Sequence, residues 1–117
     1  MSFKFEELRV WQKALDLTGD IDELTRKFPK DEVYVLSSQI KRAADSIALN
    51  IAEGSTGQTD KEFARFLGIA IRSGIEVVGC LYIGKRRRII DQSDFDNYYT
   101  RLNDLIRMIQ ALRNTLK

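Results

Sequence analysis

The chain of 117 residues has no histidine, a single cysteine and a single proline. Without histidine it lacks the commonest general base and the commonest metal ligand of proteins. One cysteine cannot build a thiolate zinc site or a disulfide within the chain, and dimetal carboxylate bundles normally need Glu-x-x-His pairs. We therefore predict no metal, no cofactor and no catalytic residue.

Long apolar runs are also missing. Nowhere do eighteen or so apolar residues occur together, and the N-terminus has no basic segment followed by an apolar stretch. We expect a single domain, residues 1–117, that works in the cytoplasm without membrane contact. Because 19 Lys and Arg face 17 Asp and Glu, the net charge is only +2, and any affinity for nucleic acid must come from local clustering. Cys80 lies in an apolar stretch and is interpreted as a small buried hydrophobe.

Apolar residues recur at three- and four-residue spacing nearly throughout, which predicts an all-α protein. The predicted helices run from Glu7 to Lys27, from Glu32 to about Glu53, from Thr59 to the basic residues 85–88, and from Ser93 to the end of the chain. Short connectors make sequential helices antiparallel neighbours. The predicted architecture is an antiparallel up-down-up-down four-helix bundle.

The ends of these helices carry recognisable signals. Asp31 is the predicted N-cap of helix two, and Gly54 stands where a left-handed C-terminal residue is expected. Thr59 and Glu62 have the spacing of a capping box for helix three, and Ser93 is the predicted cap of helix four.

Helix three is apolar on two faces, which is more than one bundle seam requires. The core face holds Phe63, Leu67, Ala70, Gly74, Val77, Val78 and Leu81, and the second face holds Gly68, Ile71, Ile75, Gly79 and Tyr82. Extended apolar faces with small residues normally end up buried against something. We infer that the protein is a homo-oligomer.

Helix two carries a polar ladder beside its apolar seam. The ladder consists of Gln39, Arg42, Ser46, Asn50 and Glu53, at steps of three and four residues. Amide, hydroxyl, guanidinium and carboxylate groups at the edge of a core indicate a hydrogen-bonded structural network or a subunit contact. A ligand site is the alternative interpretation of the same residues.

Paired carboxylates are the remaining route to catalysis. Glu53, Glu62 and Glu76 lie around the connector and along helix three, but acidic residues at helix ends normally serve capping and dipole roles. The Gly54-Ser-Thr-Gly57 connector lacks the Gly-Lys-Ser/Thr of a phosphate loop and follows a helix rather than a strand. We predict a protein that is not an enzyme.

The one concentrated charge feature is the basic run, Lys85, Arg86, Arg87 and Arg88, at the end of helix three. Such runs are most often solvated and complement the helix dipole. Repeated around a ring of subunits, the same run would become a polyvalent phosphate-binding surface whose affinity falls with salt. The sequence shows no aromatic stacking platform and no groove-reading motif beside it.

The order of motifs along the chain resembles that of the four-helix-bundle proteins associated with intervening sequences of bacterial 23S rRNA genes. The matching segments are Leu8-Arg-Val-Trp-Gln-Lys-Ala14, Phe28-Pro29, Glu32-Val-Tyr-Val-Leu36, Ser38-Gln-Ile-Lys-Arg-Ala-Ala44, Ser46, Asn50-Ile-Ala-Glu-Gly54, and Lys61-Glu-Phe63 through Ser73 and Glu76. The resemblance implies an antiparallel bundle that assembles as a pentameric ring. Some members of the family bear a ribosomal-protein label. The family is also similar to the basic accessory protein of diversity-generating retroelements, which works with nucleic acid.

Residues and resemblance together predict a non-enzymatic, oligomeric interaction scaffold whose partner is RNA or an RNA–protein complex. The alternative is a protein-binding assembly factor with no nucleic-acid role, in which the basic run only aids solubility. Salt dependence separates the two, because phosphate contacts weaken steeply with salt and apolar contacts do not.

Overall fold

A computed structural model describes residues 3–57 and 59–116, and over these residues the chain forms four α-helices and no strand. Helix α1 spans Arg9–Thr25, α2 spans Ser38–Ser55, α3 spans Asp60–Arg86 and α4 spans Gln92–Asn114. Short helical turns precede α1 and α2: 3₁₀ turns at Lys4–Glu7 and Lys30–Glu32, and a π-helix at Val33–Ser37. The predicted connector residue Gln58 lies outside the described residues.

Contacts between α2 and α3 fix their direction. Leu36 meets Gly84 before α2, Ile47 meets Gly74 in the middle, and Gly54 meets Phe66 at the far end. The partner numbers fall as the α2 numbers rise, so the two helices are antiparallel.

The same reasoning orients the other helices. On α4, Phe95 faces Lys85 of α3 and Arg113 faces Gly68, so these two helices are antiparallel. Helix α1 is antiparallel to α4, because Lys27 pairs with Asp94 while Asp20 pairs with Arg101 further along. The predicted up-down-up-down four-helix bundle is confirmed, as a rod of 43 × 26 × 19 Å.

The core lies where the four predicted seams converge. Its largest fully buried side chains are Leu17, Ile21, Leu36, Ile40, Ile47, Ile51, Leu67, Leu81, Leu102 and Ile109. Each contributes roughly 1.5–3 kcal/mol relative to exposure. Cys80 is buried among them, and burial raises the pKa of its thiol, as expected of a structural cysteine.

The helix ends confirm one prediction in part and correct three. Thr59 Oγ1 accepts a hydrogen bond from Glu62 N at 3.0 Å and caps α3 as predicted, but the Glu62 carboxylate accepts from Arg65 instead of closing the predicted capping box. Helix α4 is capped by Asp91, whose carboxylate accepts from Asp94 N at 2.7 Å, so Ser93 lies inside the helix. Asp91 comes directly before the first helical residue, the position from which a side chain reaches these amides.

Gly54 does not end α2 as a left-handed residue, because the helix continues to Ser55 and the described residues include no glycine with positive φ. A glycine at position 54 is explained by packing instead. A Cβ at Gly54 would lie 2.5 Å from Phe66 Cβ and 3.2 Å from Phe63 Cδ1. The small residue lets α2 and α3 approach each other beside the connector.

The start of α2 is less regular than predicted. Asp31 lies inside the 3₁₀ turn and makes no capping hydrogen bond, and the π-helix follows before α-helical geometry begins at Ser38. Val33 and Val35 are β-branched, which lowers their helix propensity, and their side chains are exposed. Propensity and burial therefore both stabilise this π-helix less than they stabilise α2. The Ser37 hydroxyl is buried there without a hydrogen-bond partner among the described residues.

Among the described residues, α3 is long and apolar enough to cross a membrane by length and composition alone. Core helices of bundles pass the same test, and α3 packs between α2 and α4. The absence of membrane contact therefore stays a prediction.

Candidate nucleic-acid interface and subunit surface

The basic run begins in the last turn of α3, at Lys85 and Arg86, and the chain reverses direction at Arg87 and Arg88. Arg88 has φ of 62°, Arg88 N donates to Lys85 O at 3.0 Å, and Ile89 N donates to Gly84 O at 2.8 Å. These two bonds define a Schellman C-terminal motif, in which the left-handed position is usually glycine. Ile90 is buried against Gly84, where an added Cβ would clash with Ile90 Cδ1. The reversal is thus fixed by packing and places an arginine where glycine is favoured.

The four cations have different surroundings. Lys85 Nζ lies 4.5 Å from the ring centroid of Phe95, and Arg87 Nη1 lies 3.7 Å from a carboxylate oxygen of Glu32. Arg86 and Arg88 are exposed and make no ion pair within the described residues. The structure therefore divides the predicted set of four. Arg87 is paired with a carboxylate, and Lys85 lies over a ring without a carboxylate partner among the described residues. Arg86 and Arg88 have neither contact, and we call these two the unneutralised cations.

Three aromatic rings lie beside the basic run, although no aromatic stacking platform was predicted there. Tyr82 of α3 contacts Phe95 and Tyr99 of α4, with ring centroids 5.0 and 6.3 Å away, and Phe95 stacks on Tyr99 at 5.6 Å. Phe95 is buried, whereas Tyr82 is 53% and Tyr99 39% exposed. We call Tyr82, Phe95 and Tyr99 the aromatic cluster.

Sequence reasoning missed the aromatic cluster because its members stand on two helices. Tyr82 was assigned to the second face of α3, and Tyr99 lies beside the α4 seam rather than in it. The available signal was local: Tyr82 precedes Lys85 and Arg86 by three and four residues, which places them on one helix face. Only the antiparallel packing of α3 on α4 brings Tyr99 to the same place.

The polar ladder of α2 forms a network at two of its five positions. Asn50 Nδ2 donates to Ser46 O and Oγ at 2.8 and 2.9 Å, and Ser46 Oγ lies 2.8 Å from Ser73 Oγ of α3. Ser73 Oγ in turn donates to Ile69 O at 3.1 Å. This chain ties α2 to α3 at the edge of the core.

The other three ladder residues, Gln39, Arg42 and Glu53, are exposed, and their side chains make no hydrogen bond within the described residues. Arg42 and Glu53 line a shallow groove along α2, together with the exposed side chains of Tyr34 and Leu49. Tyr34 is 92% and Leu49 66% exposed. Charged and apolar groups alternate here, as they do at subunit contacts.

The outer side of α3 is likewise not covered by any other described part of the chain. Ile75, Gly79 and Ile83 follow at four-residue steps and form what we call the α3 ridge. Ile75 is 58% and Ile83 40% exposed, and a Cβ at Gly79 would meet nothing within 4 Å. Of the predicted second face, Ile71 is half-buried, Gly68 lies under Arg113, and Tyr82 belongs to the aromatic cluster.

The carboxylates do not assemble into a catalytic pair. Arg65 donates to Glu62 at 2.9 Å, which lowers the pKa of that carboxyl, and Glu53 and Glu76 are exposed. The described residues contain no cluster of three or more His, Cys, Asp or Glu side chains that would hold a metal ion.

The fold and these surfaces define a class: a four-helix bundle whose chemistry-bearing side chains lie on open faces rather than in an enclosed site. The chain matches the family of 23S rRNA-intervening sequence proteins over residues 6–111 and belongs to that family. The chain is similar to a crystal structure of a protein of unknown function from the S23 ribosomal protein family of Bacteroides thetaiotaomicron, with a TM-score of 0.83 and 23% identity. That match covers 89% of this chain and 97% of the other and supports the fold alone. No protein of curated function gives a significant match.

Proposed function

We propose that the protein is a non-enzymatic scaffold that assembles from several copies of itself and binds RNA, alone or within an RNA–protein complex, in the cytoplasm. The observation that carries the proposal is the Schellman reversal, which leaves Arg86 and Arg88 exposed without a carboxylate partner among the described residues. Arginine pairs well with phosphate oxygens because its planar fork donates two parallel hydrogen bonds.

Assembly would multiply this charge. One chain offers two unneutralised cations, and a ring of five, the state implied by the family resemblance, would offer ten such side chains. Linked phosphate contacts raise overall affinity well above that of each contact. The net charge of +2 is no obstacle, because binding depends on the local field at the ends of the helices.

The α3 ridge and the groove of α2 support assembly. Both surfaces expose apolar side chains, and the groove combines Leu49 with Arg42 and Glu53, which have opposite charges. A second copy of these surfaces would cover Ile75 and Leu49 and place these charges against each other.

Light scattering at micromolar concentration tests the assembly. Ile75→Glu places a charge in the α3 ridge and should yield a monomer, whereas Leu15→Glu, at the exposed apolar position on α1, should keep the wild-type mass. A wild-type chain that is monomeric, or an Ile75→Glu variant that assembles normally, would contradict the proposed subunit surface.

Fluorescence anisotropy of labelled structured RNA over a salt series tests the RNA partner. The Arg86→Glu/Arg88→Glu variant should lose binding, and the affinity of the wild type should fall steeply with salt. The control is Arg9→Glu/Arg107→Glu, which changes the net charge equally at exposed positions elsewhere. Equal losses in both variants would mean that overall charge alone drives binding.

A protein-binding assembly factor is the second candidate, and the exposed Val33, Tyr34 and Val35 at the entry to α2 favour it. Absence of RNA binding at low salt by a well-folded assembly would establish it over the RNA scaffold.

A further inference from the structure

The aromatic cluster stands at the seam between α3 and α4, on the same helix face as part of the basic run. Two rings remain open to solvent, Tyr82 at 53% and Tyr99 at 39% exposure, while buried Phe95 supports both from beneath. The Tyr82 ring is edge-on to both neighbours, with interplanar angles of 69° and 90°. The two tyrosines are therefore braced by ring contacts instead of moving freely.

Cations flank these rings. Lys85 lies over Phe95 at 4.5 Å, and Arg86 follows Tyr82 by one helical turn. Of the nearby carboxylates, Asp94 is paired with Lys27 at 3.1 Å, and Asp96 accepts a hydrogen bond from Gln92 at 2.8 Å. Asp91 and Asp94 line one cavity with Lys27, Lys85 and Arg88, so cations outnumber carboxylates there by three to two, and Asp96 is a further carboxylate on α4.

We propose that Tyr82 and Tyr99, with Lys85 and Arg86, form a stacking site for unpaired bases, so that the RNA bound by this protein is single-stranded where it crosses the α3–α4 seam. Exposed aromatic faces beside cations are the combination that single-stranded nucleic-acid binders use, since bases stack on the rings and the cations contact the backbone. A duplex cannot use such a site because its bases are already stacked and paired. The inference depends on the proposed RNA-binding function and adds the strandedness of the RNA.

The exposed rings provide a preference for single strands that the charges alone do not. Phosphate contacts attract any nucleic acid, whereas exposed tyrosines discriminate in favour of unpaired bases. The geometry allows stacking on the outer faces only, because the rings of Tyr82 and Tyr99 touch edge to face at 6.3 Å and leave no slot between them. Each ring therefore offers one place for one base.

Anisotropy with three labelled 12-mers tests the stacking site: an unstructured single-stranded RNA, an RNA duplex, and an abasic strand that keeps the phosphates without the bases. The wild type should bind the single strand more tightly than either of the others. Tyr82→Leu and Tyr99→Leu should each weaken single-strand binding by roughly 5- to 150-fold, the loss expected for one stacked base. Binding of the duplex and of the abasic strand should not change.

Matched variants separate stacking from structure. Tyr82→Phe and Tyr99→Phe keep the ring and should bind like the wild type. Phe3→Leu removes an aromatic ring that is 65% exposed near the start of the chain, away from the proposed surfaces, and should have no effect. Light scattering and circular dichroism must show that each leucine variant keeps its fold and mass. Asp96→Asn, which removes one of the opposing charges, should strengthen single-strand binding.

The outcomes distinguish this inference from the proposed function. Leucine variants that bind the single strand as tightly as the wild type, or that lose duplex and single-strand binding equally, would overturn the stacking site while RNA binding stands. If the Arg86→Glu/Arg88→Glu variant binds every nucleic acid as tightly as the wild type, the proposed function itself is overturned.

Discussion

Helix α3 contains two glycines five residues apart whose surroundings are opposite. At Gly74, a Cβ would lie 3.0 Å from Ile106 Cγ1, so this position of α3 holds a residue without a side chain because α4 packs closely against it. At Gly79, a Cβ would meet nothing within 4 Å. Each glycine costs about 1 kcal/mol of helix stability relative to alanine. The packing of the described residues accounts for the first glycine and not for the second.

The contrast extends to the whole helix. Its inner side is filled by buried side chains and by close approaches at Gly74 and Gly84, whereas its outer side presents Ile75 and Tyr82 to solvent. A helix serving only its own bundle would carry polar residues on its outer side. The difference between the two sides is therefore the main physical reason to expect that this bundle functions by contacting other molecules.

The largest expected effect tests the packed side. Gly54→Ala forces a Cβ to within 2.5 Å of Phe66 Cβ, an atom that cannot move without shifting the α3 backbone. Overpacking of this kind costs roughly 1–3 kcal/mol. Urea unfolding followed by circular dichroism should show a free energy of unfolding lower by about 2 kcal/mol. A variant as stable as the wild type would mean that α2 and α3 are less closely packed than described.

The hydrogen-bonded chain between α2 and α3 gives the next effect. Asn50→Ala removes the two bonds to Ser46 and should lower the free energy of unfolding by about 1 kcal/mol. Arg42→Ala is the matched control from the same ladder, and it should change stability by less than about 0.5 kcal/mol because its side chain is exposed. Equal losses in both variants would show that the ladder acts as one network, as the sequence first indicated.

Gly79→Ala tests the open side directly. In the Ile75→Glu background, where assembly is expected to fail, adding Gly79→Ala should raise the free energy of unfolding by up to about 1 kcal/mol, because only helix propensity changes. In the otherwise wild-type chain it should weaken assembly, measured by light scattering over a dilution series. A variant that assembles with unchanged affinity would show that Gly79 does not approach a second copy.

How far the sequence predicts this molecule depends on the range of the interaction concerned. The seams of all four helices follow from periodicity, and the Thr59 cap follows from local spacing, because each signal lies within a few residues. The cap of α4 was predicted at Ser93 and lies at Asp91, because serine and aspartate are both good caps and the sequence does not show which residue begins the helix. The π-helix at Val33–Ser37 has no sequence signature of comparable strength.

The candidate sites follow the same rule. The basic run is continuous in sequence and was predicted, but the distinction between the unneutralised cations and the other two depends on Phe95 and Glu32, which are distant along the chain. Within the polar ladder, Ser46 and Asn50 hydrogen-bond to each other because they are one helical turn apart. Their partner Ser73 is supplied by α3 and was not foreseen.

Arg88 is the counterpart of Gly79, since each residue departs from what its local backbone favours. Arg88 adopts φ of 62° in a Schellman motif. The left-handed conformation costs a residue other than glycine roughly 1–2 kcal/mol, and the greater entropy that glycine loses on folding offsets part of this, which leaves glycine a net advantage of about 0.5–1 kcal/mol. Arg88→Gly should therefore stabilise the fold by about that amount in urea unfolding, and the same variant should bind RNA more weakly with a shallower salt dependence. Arg88→Asn provides the control, because asparagine tolerates the left-handed conformation but carries no charge. If glycine raises stability and RNA affinity is unchanged, the strained arginine serves no phosphate contact, and the unneutralised charge of the reversal rests on Arg86 alone.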